Sequence, residues 1–455
     1  LDPAGRLAGG RMSVTLPNRI CWFADLEGLM ERIEVLEELR DQIGLTTLVP
    51  ESHISHTSGF RATPAVAAAG PFEDWRVRPG LADHRTGFHV AEPAMAVLPG
   101  VVGGVDDGLL LLVIEECRRL GIEVWGHAGV WCYGAEVFPD LAAVDLFGRS
   151  MLPASLPWGT MFCPSQPGPR AWLAESLADV AGRYDLDGWF LDHARYPSPG
   201  FAPALLACGC GHCETAAREL GVDLDDCRRD VLALADALRT TDPAALDGLV
   251  AGGPAAVLTW LGRWPGVLAW LDVRSAILAD RFAELGAAIA AASPRVVDFG
   301  SDVFPPGVAL LGGQRYDRWA ASATYLTGGF GPRIGWGSVG RVTVESLGPV
   351  LATLSPGLSI DAAMRVVGAL IGADPIPDGA GDDDAYQVQI RAMAAARGDL
   401  PVYPPIAGPP EPDRLARMCR GVIDAGLQGA MIAGLESTTD AQRAVIRREL
   451  TDRLA

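Results

Sequence analysis

The chain has 455 residues, 49% of them hydrophobic and 20% charged, which fits two or three domains, or one large barrel with insertions, and not a disordered protein. Fifty-six acidic residues against 37 basic ones leave a formal charge of −19; nucleic acid is therefore disfavoured as a partner, since phosphate binding needs a basic face. Every basic residue is arginine. With no lysine in the chain, Schiff-base chemistry, pyridoxal-phosphate anchoring and a lysine-bearing phosphate loop are excluded.

Residues 1–11 lack a charged-then-apolar leader pattern and read as a disordered tail ahead of a single domain, 12–455. No run reaches the ~18 uninterrupted apolar residues of a membrane span. Nine cysteines in so long a chain are not a secreted disulfide framework. The expectation is a soluble, cytoplasmic protein.

Short β-like runs then alternate with helical patterns. Residues 19–23 form the first strand, and apolar positions at helical spacing carry 27–43 as a helix stopped at Gly44. Residues 45–50 are the second strand. A long Gly-, Pro- and His-rich segment, 53–106, follows as an insertion, and such loops are usually functional. Residues 107–120 are helical and 122–128 the third strand; 169–184 are helical and 186–192 the fourth strand. Residues 201–263 read as a largely helical, Cys-containing insertion. A helix at 271–292 leads to a fifth strand at 296–303, with a weak sixth at 323–328. Residues 342–371 read as helical pieces, and Asp382, Asp383 and Asp384 as an acidic, solvated loop that could touch calcium. The seventh strand is 401–407 and the eighth 427–433, with helices at 415–425 and 438–454. Eight such units predict an α/β fold, a (β/α)8 TIM barrel with insertions after strands two and four, whose site lies at the C-terminal ends of the strands. The rival, an open doubly wound sheet, lacks its Gly-rich turn after every strand.

The densest chemistry lies in residues 184–197. Residues 186–191 form a buried strand, and its end carries Asp192, His193, Arg195 and Tyr196. A carboxylate at the top of a parallel strand, three residues before a guanidinium, is held ionised and oriented where substrate enters.

The pattern D-x-D-G-x-x-x-D-x-x-R-Y-P in this stretch, preceded by Cys163-Pro-Ser-Gln-Pro167, resembles bacterial glycoside-hydrolase-like TIM-barrel proteins, related to alpha-amylase-type and family-10-like glycosidases. Asp302-Val-Phe-Pro-Pro306, Leu400-Pro-Val-Tyr-Pro404 and Gly429-Ala-Met-Ile432 match the later strand ends, so the likeness runs from about Ile20 to the C-terminus. It implies that Asp192 is the strand-four nucleophile and Asp302 the strand-five acid/base. The chain departs from that pattern in carrying Asp at 302 where amylase-type barrels have Glu. With Asn18 as its only asparagine, it also lacks the strand-four Asn-Glu pair of other TIM-barrel glycosidases.

Glycoside cleavage needs two carboxyls flanking the bond. Besides Asp302, Glu51 after strand two and Glu436 after strand eight fall at the same rim. His53, His127 and His193 follow or end three successive strands and could hydrogen-bond sugar hydroxyls. Trp131 and Tyr196 are expected to be exposed, because a pyranose ring stacks on an aromatic face. A metal-dependent barrel hydrolase is disfavoured: strand one has no His, and no His follows His212.

Cys208, Cys210, Cys213 and His212 lie within six residues and offer ligand types suited to a structural zinc, with Cys163 or Cys227 as a helper from elsewhere. Catalysis itself calls for no cofactor. The reading is a glycoside hydrolase acting on a carbohydrate or glycoside through Asp192 and Asp302. Arg195, His193, His127, Glu51, His53, Trp131, Tyr196 and Glu436 would line the substrate site. The alternatives are a carbohydrate-binding barrel without catalysis, or a sugar transferase or isomerase using the same pocket.

Overall fold

The computed structural model describes residues 18–24, 29, 32–50, 108–131, 139–152, 161–328, 339–372, 382–406, 408 and 410–455. The whole 53–106 insertion, His53 included, and Glu51 ahead of it lie outside these residues.

Nine parallel strands make the sheet: β1 (Arg19–Ala24), β2 (Thr47–Pro50), β3 (Glu123–Gly129), β4 (Gly188–Asp192), β5 (Asp298–Asp302), β6 (Tyr325–Thr327), β7 (Val402–Tyr403), β8 (Pro405–Ile406) and β9 (Gly429–Ala433). They follow one another in order, with β1 pairing both β2 and β9. Strands β7 and β8 are the two halves of the expected seventh strand. Val402 and Tyr403 pair with β6, whereas Pro405 and Ile406 pair with β9. Pro404 separates the halves because it has no N–H to give a ladder, although its carbonyl accepts from Met431 N–H at 3.1 Å. Apart from that break the ring is closed: an α/β barrel of the (β/α)8 kind.

The helices are α1 (Val35–Ile43), α2 (Gly108–Leu120), α3 (Pro167–Arg183), α4 (Gly211–Glu219), α5 (Leu224–Thr240), α6 (Pro243–Ala251), α7 (Gly253–Leu261), α8 (Pro265–Ala292), α9 (Val339–Leu354), α10 (Ile360–Ile371), α11 (Asp382–Ala396), α12 (Pro412–Asp424) and α13 (Asp440–Ile446), with short turns between. Helices α4–α7 build the segment after β4. The acidic residues read as a loop instead open α11. Asp382, Asp383 and Asp384 are its first three residues. No described helix is long and apolar enough to cross a membrane.

Alternation along each strand sorts side chains between two layers. Ile20, Trp22, Val124, Trp189, Leu191 and Phe299 join the large core between barrel and helices. Cys21, Phe23, Val49, Trp125, Phe190, Tyr325, Tyr403 and Met431 fill the barrel's interior. Two glycines make room for the interior rings. A Cβ at Gly188 would stand 2.5 Å from the Trp125 indole, and one at Gly300 would stand 2.7 Å from the Tyr325 ring. Trp125 and Tyr325 lie against each other with centroids 4.2 Å apart, so the lower barrel is a solid plug of aromatic groups.

Candidate active site

The strand register brings two carboxylates together. Gly188 is opposite Asp298, Phe190 opposite Gly300 and Leu191 opposite Ser301, so the next positions, Asp192 and Asp302, end adjacent strands on the same inward face. Parallel neighbours lie about 4.8 Å apart. Beneath the pair His127 stacks on Phe190 at 5.1 Å and meets the edge of Phe23 at 5.0 Å. The carboxylates thus rest on the top layer of the plug, at the C-terminal end of the barrel.

His193 joins them. Its backbone N–H donates to Asp192 Oδ1 at 2.9 Å and to Asp302 Oδ1 at 3.0 Å, so the two oxygens are less than twice that distance apart. The His193 ring reaches back, with Nδ1 2.9 Å from Asp192 Oδ2. His193 adopts φ 56°, the left-handed region a non-glycine residue rarely enters. Its backbone is therefore held in an unfavourable conformation where it turns its N–H onto both acids. His127 Nε2 stands 3.8 Å from Asp192 Oδ2, beyond hydrogen-bond reach.

Both acids are buried, Asp192 at 6% exposure and Asp302 at 3%. Burial, and then the negative charge of Asp192, raise Asp302 from its ordinary value to about 7. Arg195, the His193 N–H and the Ser301 hydroxyl oppose that rise without cancelling it. His193 is pushed the other way: its burial lowers its pKa and outweighs the attraction of Asp192. A neutral ring donating from Nδ1 therefore faces Asp192. Arg195 is buried, donates to the Tyr196 carbonyl at 3.2 Å and lies over the Phe304 ring at 5.0 Å.

Gln314 holds the far side of the pair and was not foreseen. Its amide donates to the carbonyls of Asp302 at 2.9 Å and Ala194 at 3.3 Å, and its oxygen accepts from Phe304 N–H at 2.8 Å. It thereby ties the segments after β4 and β5 together. No local pattern marks it; a glutamine after two glycines is an ordinary turn residue.

Other expected site residues fall elsewhere. Trp131 and Tyr196 are not exposed platforms: they are 1% and 0% exposed, packed in the barrel–helix core. Glu436 accepts from the Trp22 indole N–H at 3.1 Å. Trp22 belongs to the layer outside the barrel.

Behind the β4 loop four sulfurs converge. The Sγ atoms of Cys163, Cys208, Cys210 and Cys213 all lie within 4.8 Å of one another. Cys163 approaches Cys210 at 3.3 Å and Cys213 at 3.5 Å, too far for S–S bonds. Zn–S bonds of about 2.3 Å in a tetrahedron need sulfurs about 3.8 Å apart, so the donor set fits such an ion. His212, counted among the ligands from sequence, is exposed on α4 and is replaced by Cys163. Cys227 packs in a separate cluster with Leu224 and Trp270. Thiol–thiol hydrogen bonds raise Cys163 and Cys213 and lower Cys210, the behaviour of crowded sulfurs competing for protons.

No protein-family model and no curated protein matches the chain. Among solved structures, it is similar to the catalytic domain of β-amylase from Paenibacillus polymyxa, with 11% identity and a TM-score of 0.50, covering 96% of this chain and 98% of that one. Similar too are β-galactosidases from a psychrophilic Marinomonas (11% identity, TM-score 0.49) and from Halorubrum lacusprofundi (13%, 0.49). The matches cover 94% and 96% of this chain, but only 58% of either galactosidase. These neighbours are glycoside hydrolases built on a barrel. At such identities the likeness shows the fold alone.

Proposed function

We propose that the protein is a glycoside hydrolase that cleaves with retention of anomeric configuration, Asp192 acting as nucleophile and Asp302 as acid/base. The observation that carries this reading is the single His193 N–H shared by both carboxylates. It supports a pair too close to leave the 6.5–9.5 Å gap that an inverting water needs, and near the ~5 Å of retaining enzymes. Two acids in one dry site also divide their roles: one stays charged while its neighbour holds a proton near neutral pH. Asp302 would protonate the leaving oxygen as Asp192 attacks the anomeric carbon. It would then take a proton from the water that releases the sugar.

A structural zinc on Cys163, Cys208, Cys210 and Cys213 completes the reading. Its four thiolates would fix the segment after β4, and it would take no part in bond cleavage.

The burial of both acids favours a second reading, a sugar-binding barrel that does not hydrolyse. A glycoside panel assayed with wild type and Asp192→Asn separates the two. Hydrolysis should fall by about 10² or more in the variant, and NMR of the first-formed sugar should show the substrate's own anomer. Equal activity in both proteins would end the nucleophile assignment; no hydrolysis by wild type, with sugar binding intact, would leave the second reading.

A further inference from the structure

Arg274 is a buried cation without an acid. It lies on α8 at 1% exposure, and among the described residues no carboxylate comes within ion-pair distance of it. Its Nη2 donates to the Ala204 carbonyl at 2.9 Å and its Nη1 to the Leu311 carbonyl at 3.3 Å, while Nε is buried with no acceptor. Its guanidinium lies over the Tyr196 ring at 4.5 Å and near the Trp270 ring at 5.5 Å. Two carbonyls and two ring faces do not neutralise a charge, and an uncompensated buried ion is strongly unfavourable.

The segment that accepts from Arg274 leads to the sulfur cluster. Ala204 belongs to the turn that runs directly into Cys208. Burial lowers Arg274 to about 10, and the groups that push it back up are Tyr196, Cys208 and Cys213. A divalent ion held by four thiolates carries two net negative charges, so a loaded site would leave an anion without a cation of its own. The Tyr196 hydroxyl is buried without a partner among the described residues, and its ring is pressed against Gly313, where a Cβ would come within 2.5 Å.

We infer that Arg274 is the buried counter-cation of a four-thiolate metal centre, and a positioning residue that ties that centre to the loops carrying Asp192 and Asp302. Three of its four contacts end on those segments. Ala204 leads to Cys208, Tyr196 follows Asp192 by four residues, and Leu311 precedes the Gln314 that holds the Asp302 carbonyl. The inference rests on the metal reading and is independent of whether the barrel cleaves glycosides.

The test compares wild type with Arg274→Met, Arg274→Gln and Arg274→Lys, each stripped and reloaded with zinc or cobalt(II). Zinc affinity is measured by chelator competition, and cobalt is followed through its thiolate charge-transfer absorption. Wild type should bind one ion per chain with that band. The neutral variants should bind zinc at least tenfold more weakly, and Lys, which restores the charge, should recover most of the loss. Should the Met variant fail to fold, Gln against Lys still isolates charge from packing. Equal affinity in wild type and the neutral variants would overturn the counter-cation role, as would an equal loss in Lys and Gln. A wild type that binds neither ion would overturn the metal reading and this inference with it.

Discussion

Replacing Asp302 by Asn should make the protein more resistant to unfolding at high pH and change little at low pH. The folded chain holds the Asp302 proton up to about 7, whereas an ordinary aspartate releases it near 3.8. Below the lower value both states are protonated, and the favourable contribution of the buried neutral acid is fully present. Between the two values the unfolded chain has lost the proton and the folded chain has not, so stability falls by about 1.4 kcal/mol per pH unit; above the upper value the loss is complete. From pH 5 to 8.5 the wild type should therefore lose on the order of 3 kcal/mol that Asp302→Asn retains. Asn keeps an oxygen to accept from His193 N–H and Ser301, so the comparison removes the charge and little else. Denaturant titrations of both proteins at the two pH values, followed by tryptophan fluorescence, read the difference directly. A stability gap between the proteins that is the same at pH 5 and 8.5 would refute the argument that burial and Asp192 strain the ionised form.

The same proton governs catalysis in the proposed mechanism. Hydrolysis should decline as pH rises through about 7, and a pH–rate profile flat to pH 9 would remove Asp302 as the acid. Cys163→Ser should weaken the cobalt charge-transfer band by about a quarter or more, since one thiolate of four is lost, and lower the melting temperature of the zinc-loaded protein. An unchanged band would show that the fourth ligand lies elsewhere. Gly188→Ala should destabilise by about 1–3 kcal/mol through overpacking against Trp125, measured by chemical denaturation; a neutral result would mean that the indole has room to yield.

The barrel was legible because its signal is local and repeated. Most strands carry a short apolar run, and most are followed by a helix with its own period. Asp192 could be named because it ends such a run where a parallel barrel opens, and Asp302 because the resemblance puts the partner acid at the next strand end. That they share one N–H depends on the Leu191–Ser301 register, which no local pattern reveals. The break at Pro404 was hidden for a related reason: a proline near a strand end does not announce that the two halves will pair with different neighbours. Three consecutive aspartates read as a solvated loop, yet the backbone from Asp382 is helical, and charge composition alone does not separate the two. Trp131 and Tyr196 were misjudged from composition, since an aromatic near a strand end serves the core as readily as a sugar. Cys163 lies 45 residues before Cys208, and Arg274 lies farther still from the sulfurs. Contacts of that range come from packing, and a single sequence does not display them.

Among the described residues, the aromatic filling closes the barrel beneath Asp192 and Asp302, so a barrel that worked as proposed would be a vessel with one opening. Water, sugar and released product would all have to pass through the same end, and no second route could refill the chamber while a ligand sat in it. Occupancy would thus bear on the acids' surroundings: already buried, they would lose to a bound ring the little water that still reaches them. In such a vessel the protonation of the pair and the filling of the mouth become one equilibrium, which a titration performed with and without a tightly held sugar would resolve into its parts.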